Sequence, residues 1–129
     1  MISKKSQLFF LISIPIFIIH GLEEYFAGFA NVDPVFKTVF GFLGLPVSNL
    51  SFFIFQIVFW IILISVYLSL RKGHQLMPLM VLLGLVFVFE IHHIFRAIAI
   101  QSYYPGLVTS FFFPVVGFLF WRELFKNFH

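Results

Sequence analysis

The 129-residue chain has no cysteine. That excludes disulfides, iron–sulfur clusters, thiolate haem and a cysteine nucleophile, and leaves His, Asp and Glu as the natural metal ligands. Charge is scarce too, with Asp, Glu, Lys and Arg making up 10% of residues. So little polar surface cannot cover a water-soluble globule. The net charge of +3 comes from basic residues standing in ones and twos. They form no patch, which speaks against a nucleic-acid partner. HExxH and the multiple histidine boxes of membrane desaturases are also missing, so neither chemistry is supported.

What is present is apolar. The chain is 61% hydrophobic and 22% aromatic, with 22 phenylalanines and a mean hydropathy of +1.07. Such a composition belongs in a lipid bilayer. The phenylalanine spacing does not set these residues apart from lipid-facing filler. A hydrocarbon core of ~30 Å needs about 20 apolar residues as a helix, and four segments approach that length, roughly 7–30, 49–70, 77–100 and 105–121. The expected fold is all-α, a four-transmembrane-helix up-down bundle forming a single integral membrane domain. The first span follows Lys4 and Lys5 as a secretory leader would, but its apolar run is longer than a leader's and it carries HGLEE, so it is expected to be retained. Lys4, Lys5, Arg71, Lys72, Arg122 and Lys126 flank span ends that fall on one side if the helices alternate, leaving Lys37 on the other side and Arg96 within a span. That bias predicts both termini cytoplasmic, and the expected location is the bacterial cytoplasmic membrane, as a multi-pass protein.

The connections "RKGHQ" and "QSYYPG" are short enough to make spans two and three, and then three and four, antiparallel neighbours. Between spans one and two, Asp33 as an N-cap and Pro34 at the first helical position predict a short interfacial helix over about 34–44. Its apolar Val35, Phe36, Val39, Phe40 and Leu43 suit either a roof over a site beneath or a mere connector.

Ionisable groups inside lipid cost several kcal/mol each unless paired or neutralised, and they mark function more often than structure. Two spans carry them. His20 shares a helical face with Glu23 and Glu24, three and four residues on. In span three Glu90 and His93 are also three apart, while His92 points about 160° away from Glu90 at ~100° per residue, and Arg96 continues the ridge one turn beyond His93. His20 and Glu90 each lie about 13 residues from their cytoplasmic ends, hence about 20 Å deep. The two motifs therefore meet at one level. Glu-x-x-His facing another His/Glu helix is how four-helix bundles hold di-iron or di-manganese centres. The candidate ligands are His20, Glu23, Glu24, Glu90 and His93, for a divalent Zn, Fe or Mn ion. Three carboxylates against two histidines and one arginine are neutralised more simply by a divalent cation than by protons. His74 and His129, in a loop and at a terminus, read as solvated.

The combination of "HGLEE", a histidine late in span three, and "YYPGLVTS" entering span four resembles the HXXEE domain family of small membrane proteins. The resemblance rests on His20, Glu23, Glu24, His93, Tyr103 or Tyr104, Pro105, Gly106 and Thr109 and covers most of the chain. In that family an asparagine commonly stands a turn before the later histidine, where this chain has Phe89 and Glu90. The family has no established activity, so the resemblance implies a site and no reaction. It makes Tyr104, Pro105, Gly106 and Thr109 site components.

Three functions fit. The first is a metal-dependent membrane enzyme, a hydrolase, isomerase or oxygenase, acting on a lipid or small hydrophobic substrate. In it Glu24 is the base or a bridging ligand, and Arg96 and Tyr104 steady negative charge. The second is proton or metal-ion transport or sensing, which needs polar steps that residues 8–19 and 79–89 lack apart from Ser13 unless a homo-oligomer supplies them. The third is a non-catalytic subunit whose polar network only fixes helix packing.

Overall fold

A computed structural model describes residues 2–128; His129 lies outside them. Helix α1 (Lys4–Phe26) starts where the Ser3 side chain accepts from the Ser6 N–H and ends before Gly28, whose φ of 78° turns the chain out of the helix. The apolar run continues through Ala30, so hydropathy alone extends this span too far. Two short helices follow, α2 (Phe29–Val32) and α3 (Pro34–Phe42), the latter capped by Asp33, whose Oδ2 accepts from the Phe36 N–H at 2.8 Å. Helix α4 (Asn49–Arg71) is one uninterrupted span capped by Ser48.

The third span is broken. Helix α5 (Met77–Phe89) and α6 (His92–Ile100) are joined at Glu90–Ile91, where the N–H groups of Ile91, His93 and Ile94 reach back three residues instead of four. That tighter winding eclipses side chains three apart. Glu90 and His93 consequently project in one direction. The fourth span is α7 (Leu107–Ser110) followed by α8 (Phe112–Phe125) and a closing 3₁₀ turn, Lys126–Phe128.

All four spans are long and apolar enough to cross a membrane. Helix α1 is central, packed by α4 on one flank and by α7 and α8 on the other, while α5 packs on α8. The Trp121 indole N–H donates to the Gly84 carbonyl at 2.9 Å, stapling α8 to α5. One end of the bundle is tied by the Ile2 N–H to Gln75 Oε1 at 3.0 Å and the Ser3 N–H to Asn127 Oδ1 at 2.8 Å. The N-terminus, the turn between spans two and three, and the C-terminal turn thus share that end, as an up-down path requires. Spans two and three are not closely packed neighbours, contrary to what their short connection suggests. Their principal partners are α1 and α8, and a groove separates them.

Two apolar layers fill the bundle. Phe10, Phe17, Phe87, Phe113 and Phe120 build the larger one; Phe29, Phe36, Phe40 and Phe52 build the smaller, beside α3. These phenylalanines are not filler: they are the core, packed in tilted and edge-on pairs such as Phe17–Phe113 at 5.0 Å. Others, Phe26, Phe42 and Phe118 among them, face outward and are largely exposed, as lipid-facing side chains are.

Candidate metal centre

The polar cluster lies between the two layers. Phe113 stands edge-on to the His20 ring at 4.8 Å, and Phe29 packs on His93 at 5.4 Å. His20, Glu24 and His93 are buried, and Glu90 keeps 15% of its side chain exposed. One nitrogen or oxygen from each of these four residues lies within 4.8 Å of all the others. His20 Nε2 is 2.8 Å from Glu90 Oε2, 3.1 Å from Glu24 Oε1 and 3.2 Å from His93 Nε2. His93 Nε2 is 3.0 Å from Glu90 Oε2 and 3.7 Å from Glu24 Oε2.

The outer nitrogens determine what the inner ones present. His93 Nδ1 lies 2.7 Å from the Pro105 carbonyl, which only accepts, so the proton is on Nδ1. His20 Nδ1 is 2.7 Å from Thr109 Oγ1, and that hydroxyl donates its one proton to Glu23 Oε1 at 2.6 Å. It therefore accepts from His20. With both imidazoles neutral, each Nε2 turns a lone pair inward, toward another lone pair and two carboxylates. With both carboxylates ionised as well, four acceptors would converge, a donor set that a cation could fill. Histidines held at Nδ1 by a carbonyl or a hydroxyl–carboxylate chain are the usual supports of metal ligands. The group can hold a metal ion, and two carboxylates would balance a divalent one.

Glu23, expected among the ligands, stands one step back. Besides Thr109 Oγ1 it accepts from the N–H groups of Thr109 at 2.8 Å and Val108 at 3.1 Å, and from the Tyr103 hydroxyl at 2.5 Å. The free N–H groups at the start of a helix favour a carboxylate there, so Glu23 pins α1 to the fourth span. Tyr104 does not reach the cluster; its hydroxyl donates to Asp33 Oδ1. Arg96 is exposed and forms no ion pair among the described residues. Within α6 it lies about 60° around the helix from His93, at the flank rather than on the face that meets the cluster.

Gly106 is required twice over. Its φ is 92°, and a β-carbon there would sit 2.8 Å from His93 and 2.9 Å from His20. Gly21 allows α4 to approach α1, with Gln56 Oε1 only 2.6 Å from where its β-carbon would lie.

Two neighbouring groups escape a sequence reading. Asp33 reads as a helix cap, and it is one. Its other oxygen, buried, accepts the hydrogen bond from the Tyr104 hydroxyl and faces His92 Nε2 at 3.6 Å. His92, placed by regular winding on the far side, instead lines the same cavity as the cluster. The adjacent "HH" pair was the only available signal. Burial pushes the Asp33 carboxyl up, but the approach of His92 and the bonds from Tyr104 and Phe36 outweigh it and hold the group below its usual value. Burial and then the Asp33 bond push the Tyr104 phenol up, and burial with the Glu23 carboxylate raises Tyr103 to about 12.

A cavity of about 330 Å³ opens on the cluster, walled by Phe17, Phe52, Phe59 and Phe89 and covered by Phe36 and Phe40 of α3. Four spans around an internal His/Glu cluster define a membrane-embedded polar site inside an α-helical bundle. Residues 11–120 match the family described as "Protein of unknown function with HXXEE motif", and the chain belongs to that family. No curated protein and no solved structure matches it.

Proposed function

We propose that this protein is an integral membrane enzyme that uses one divalent metal ion, held by His20, Glu24, Glu90 and His93, on a lipid or small hydrophobic substrate. The observation that carries this reading is the convergence of four potential metal ligands, both histidines already held at Nδ1, on the floor of an apolar cavity. A set of two imidazoles and two carboxylates suits Zn²⁺, Fe²⁺ or Mn²⁺. When bound, such an ion supplies Lewis-acid polarisation of a substrate oxygen; zinc implies hydrolysis or isomerisation, iron oxygen chemistry.

The chain's own residues orient, shield and exchange protons. Glu23 through Thr109, and Pro105 through its carbonyl, fix the two rings. Glu24 presents one oxygen toward each histidine and serves as ligand or base. His92 lines the cavity with its Nε2 turned toward Asp33, oriented by its Nδ1 bond to the Phe89 carbonyl at 2.9 Å. The phenylalanine walls exclude water and accept an apolar substrate. The basic residues gathered at the end holding both termini favour a cytoplasmic location for that end.

Elemental analysis of protein purified without added ions tests the reading. The expected result is about one metal per chain in the parent and a marked loss in His20→Ala. Metal at stoichiometric level in neither would leave only a proton-filled network that locks the helices.

A further inference from the structure

The groove between spans two and three extends well beyond the metal centre. A second cavity of about 90 Å³ lies along it, lined by Phe10, Phe59, Ile62, Leu83, Val86 and their apolar neighbours, with no polar side chain. Phe59 and Val86 line both cavities, so the two adjoin along the groove. Its rims face outward: Phe55 and Ile62 of α4 and Leu82 and Phe89 of α5 are each about half exposed. Two spans joined by a short turn that nonetheless stand apart leave a slot, and in a bilayer only hydrocarbon fills such a slot at low cost.

We infer that this slot is the tail site of the substrate: a lipid with a single acyl chain lies between spans two and three with its polar end at the His20–Glu24–Glu90–His93 cluster. This rests on the proposed enzymatic reading of the cluster and narrows its substrate class. The chemistry divides along the groove. All polar lining residues, Gln56 among them, belong to the larger cavity, and the smaller is wholly apolar. A compact hydrophobic molecule would leave the lower stretch empty. From Glu90 to Leu79 is roughly 16 Å at 1.5 Å per residue, the reach of about a dozen extended carbon–carbon bonds. The exposed rims let such a chain slide in sideways from the surrounding lipid.

The test uses a medium-chain fatty acid carrying a diazirine at its terminal carbon, photolysed with the full-length protein in detergent, and the labelled residues mapped by mass spectrometry. Saturable labelling is expected at Ile62, Leu79, Leu82 and Leu83, competed by unlabelled fatty acid, with only weak, unsaturable labelling at Val115 and Phe118 of α8. Ile62→Trp and Leu82→Trp, outward positions that fill the slot without disturbing the core, should lower the groove label roughly ten-fold, the effect of shutting out about two methylenes. A melting curve like the parent's shows that these variants fold. Even, unsaturable labelling of every lipid-facing helix overturns the inference, as does an unlabelled groove closed by a second copy in a detergent-stable dimer. Metal content of the same preparation is read separately. Saturable groove labelling without metal keeps the tail site and removes the metalloenzyme reading; metal without groove labelling does the reverse.

Discussion

His20 Nε2 and His93 Nε2 face each other at 3.2 Å, and each ring's other nitrogen is already committed as a donor, to Thr109 and to Pro105. Protonating both inner nitrogens would set two cationic N–H groups against one another. Leaving both bare sets lone pair against lone pair. One proton shared with Glu90, or a metal ion, resolves the conflict, and Glu24 and Glu90 are placed to complete a metal ion's shell.

The support of His20 is testable without touching a ligand. Thr109→Val keeps the side chain's shape and removes the hydroxyl that links Glu23 to His20. Metal affinity, read by competition with a chromogenic chelator, should fall about 10–100-fold while the helical circular dichroism is unchanged. An unaltered affinity would mean that the chain from Glu23 does not orient a ligand.

Metal and stability should be linked. Ion at about 100 times its dissociation constant stabilises by ~2.7 kcal/mol, which for a chain of this size corresponds to a melting shift of roughly 10 °C. EDTA should lower the parent's melting temperature by that order and leave Glu90→Ala where it stands. If both melt alike with and without chelator, the cluster is a self-satisfied polar network.

Gly106 separates strain from collision. Gly106→Ala places a β-carbon 2.8 Å from the His93 ring in a backbone with φ of 92°, whereas at Gly44, with φ of 71°, nothing lies within 4 Å. Both alanines carry backbone strain of about 1–3 kcal/mol. Only Gly106→Ala should also lose metal. Equal metal content in the two variants would show that the rings give way.

Alkaline titration reports on the Tyr103 contact to Glu23. Its phenol is raised to about 12 by burial and by the neighbouring carboxylate. A raised folded value means that the stabilisation is fully present below pH 10 and is lost as pH climbs through about 12. Tyr103 is 47% exposed, so the contribution is small. Phenolate absorbance should lose one tyrosine's share of its late-ionising amplitude near pH 12 in Tyr103→Phe, the rest belonging to the likewise raised Tyr104, and an unchanged amplitude would assign the step elsewhere.

Acid should act on Asp33 in the opposite sense. Its carboxyl is held below the usual range, so its stabilisation is present above pH ~4 and is lost as pH falls further. Asp33→Ala removes a helix cap and strands the Tyr104 hydroxyl, costing about 2–4 kcal/mol. Asp33→Asn, which still caps, should recover part of that in a detergent melting assay.

The amino-acid order by itself determined the four spans, their up-down path and the histidine–glutamate pairing of the first and third, because hydropathy over twenty residues and spacing of three or four are local properties. It also revealed the family, since "HGLEE" and "YYPGLVTS" are contiguous strings. Tertiary structure alone decided which glutamates face the centre. Glu23 and Glu24 are adjacent in sequence and both plausible, yet the N–H groups opening the fourth span draw Glu23 away. The same holds for His92, Arg96 and Asp33. Regular helical geometry sends His92 away from Glu90, which the tightened turn at Glu90–Ile91 alters; how far Arg96, at the flank of α6, stands from the cluster is set by packing; and a cap reading of Asp33 accounts for one carboxylate oxygen but not for the other. The groove between spans two and three was invisible as well. A short connection fixes only that two helices are close at one end; whether they touch along their length depends on which third helix each packs against, and here those are α1 and α8.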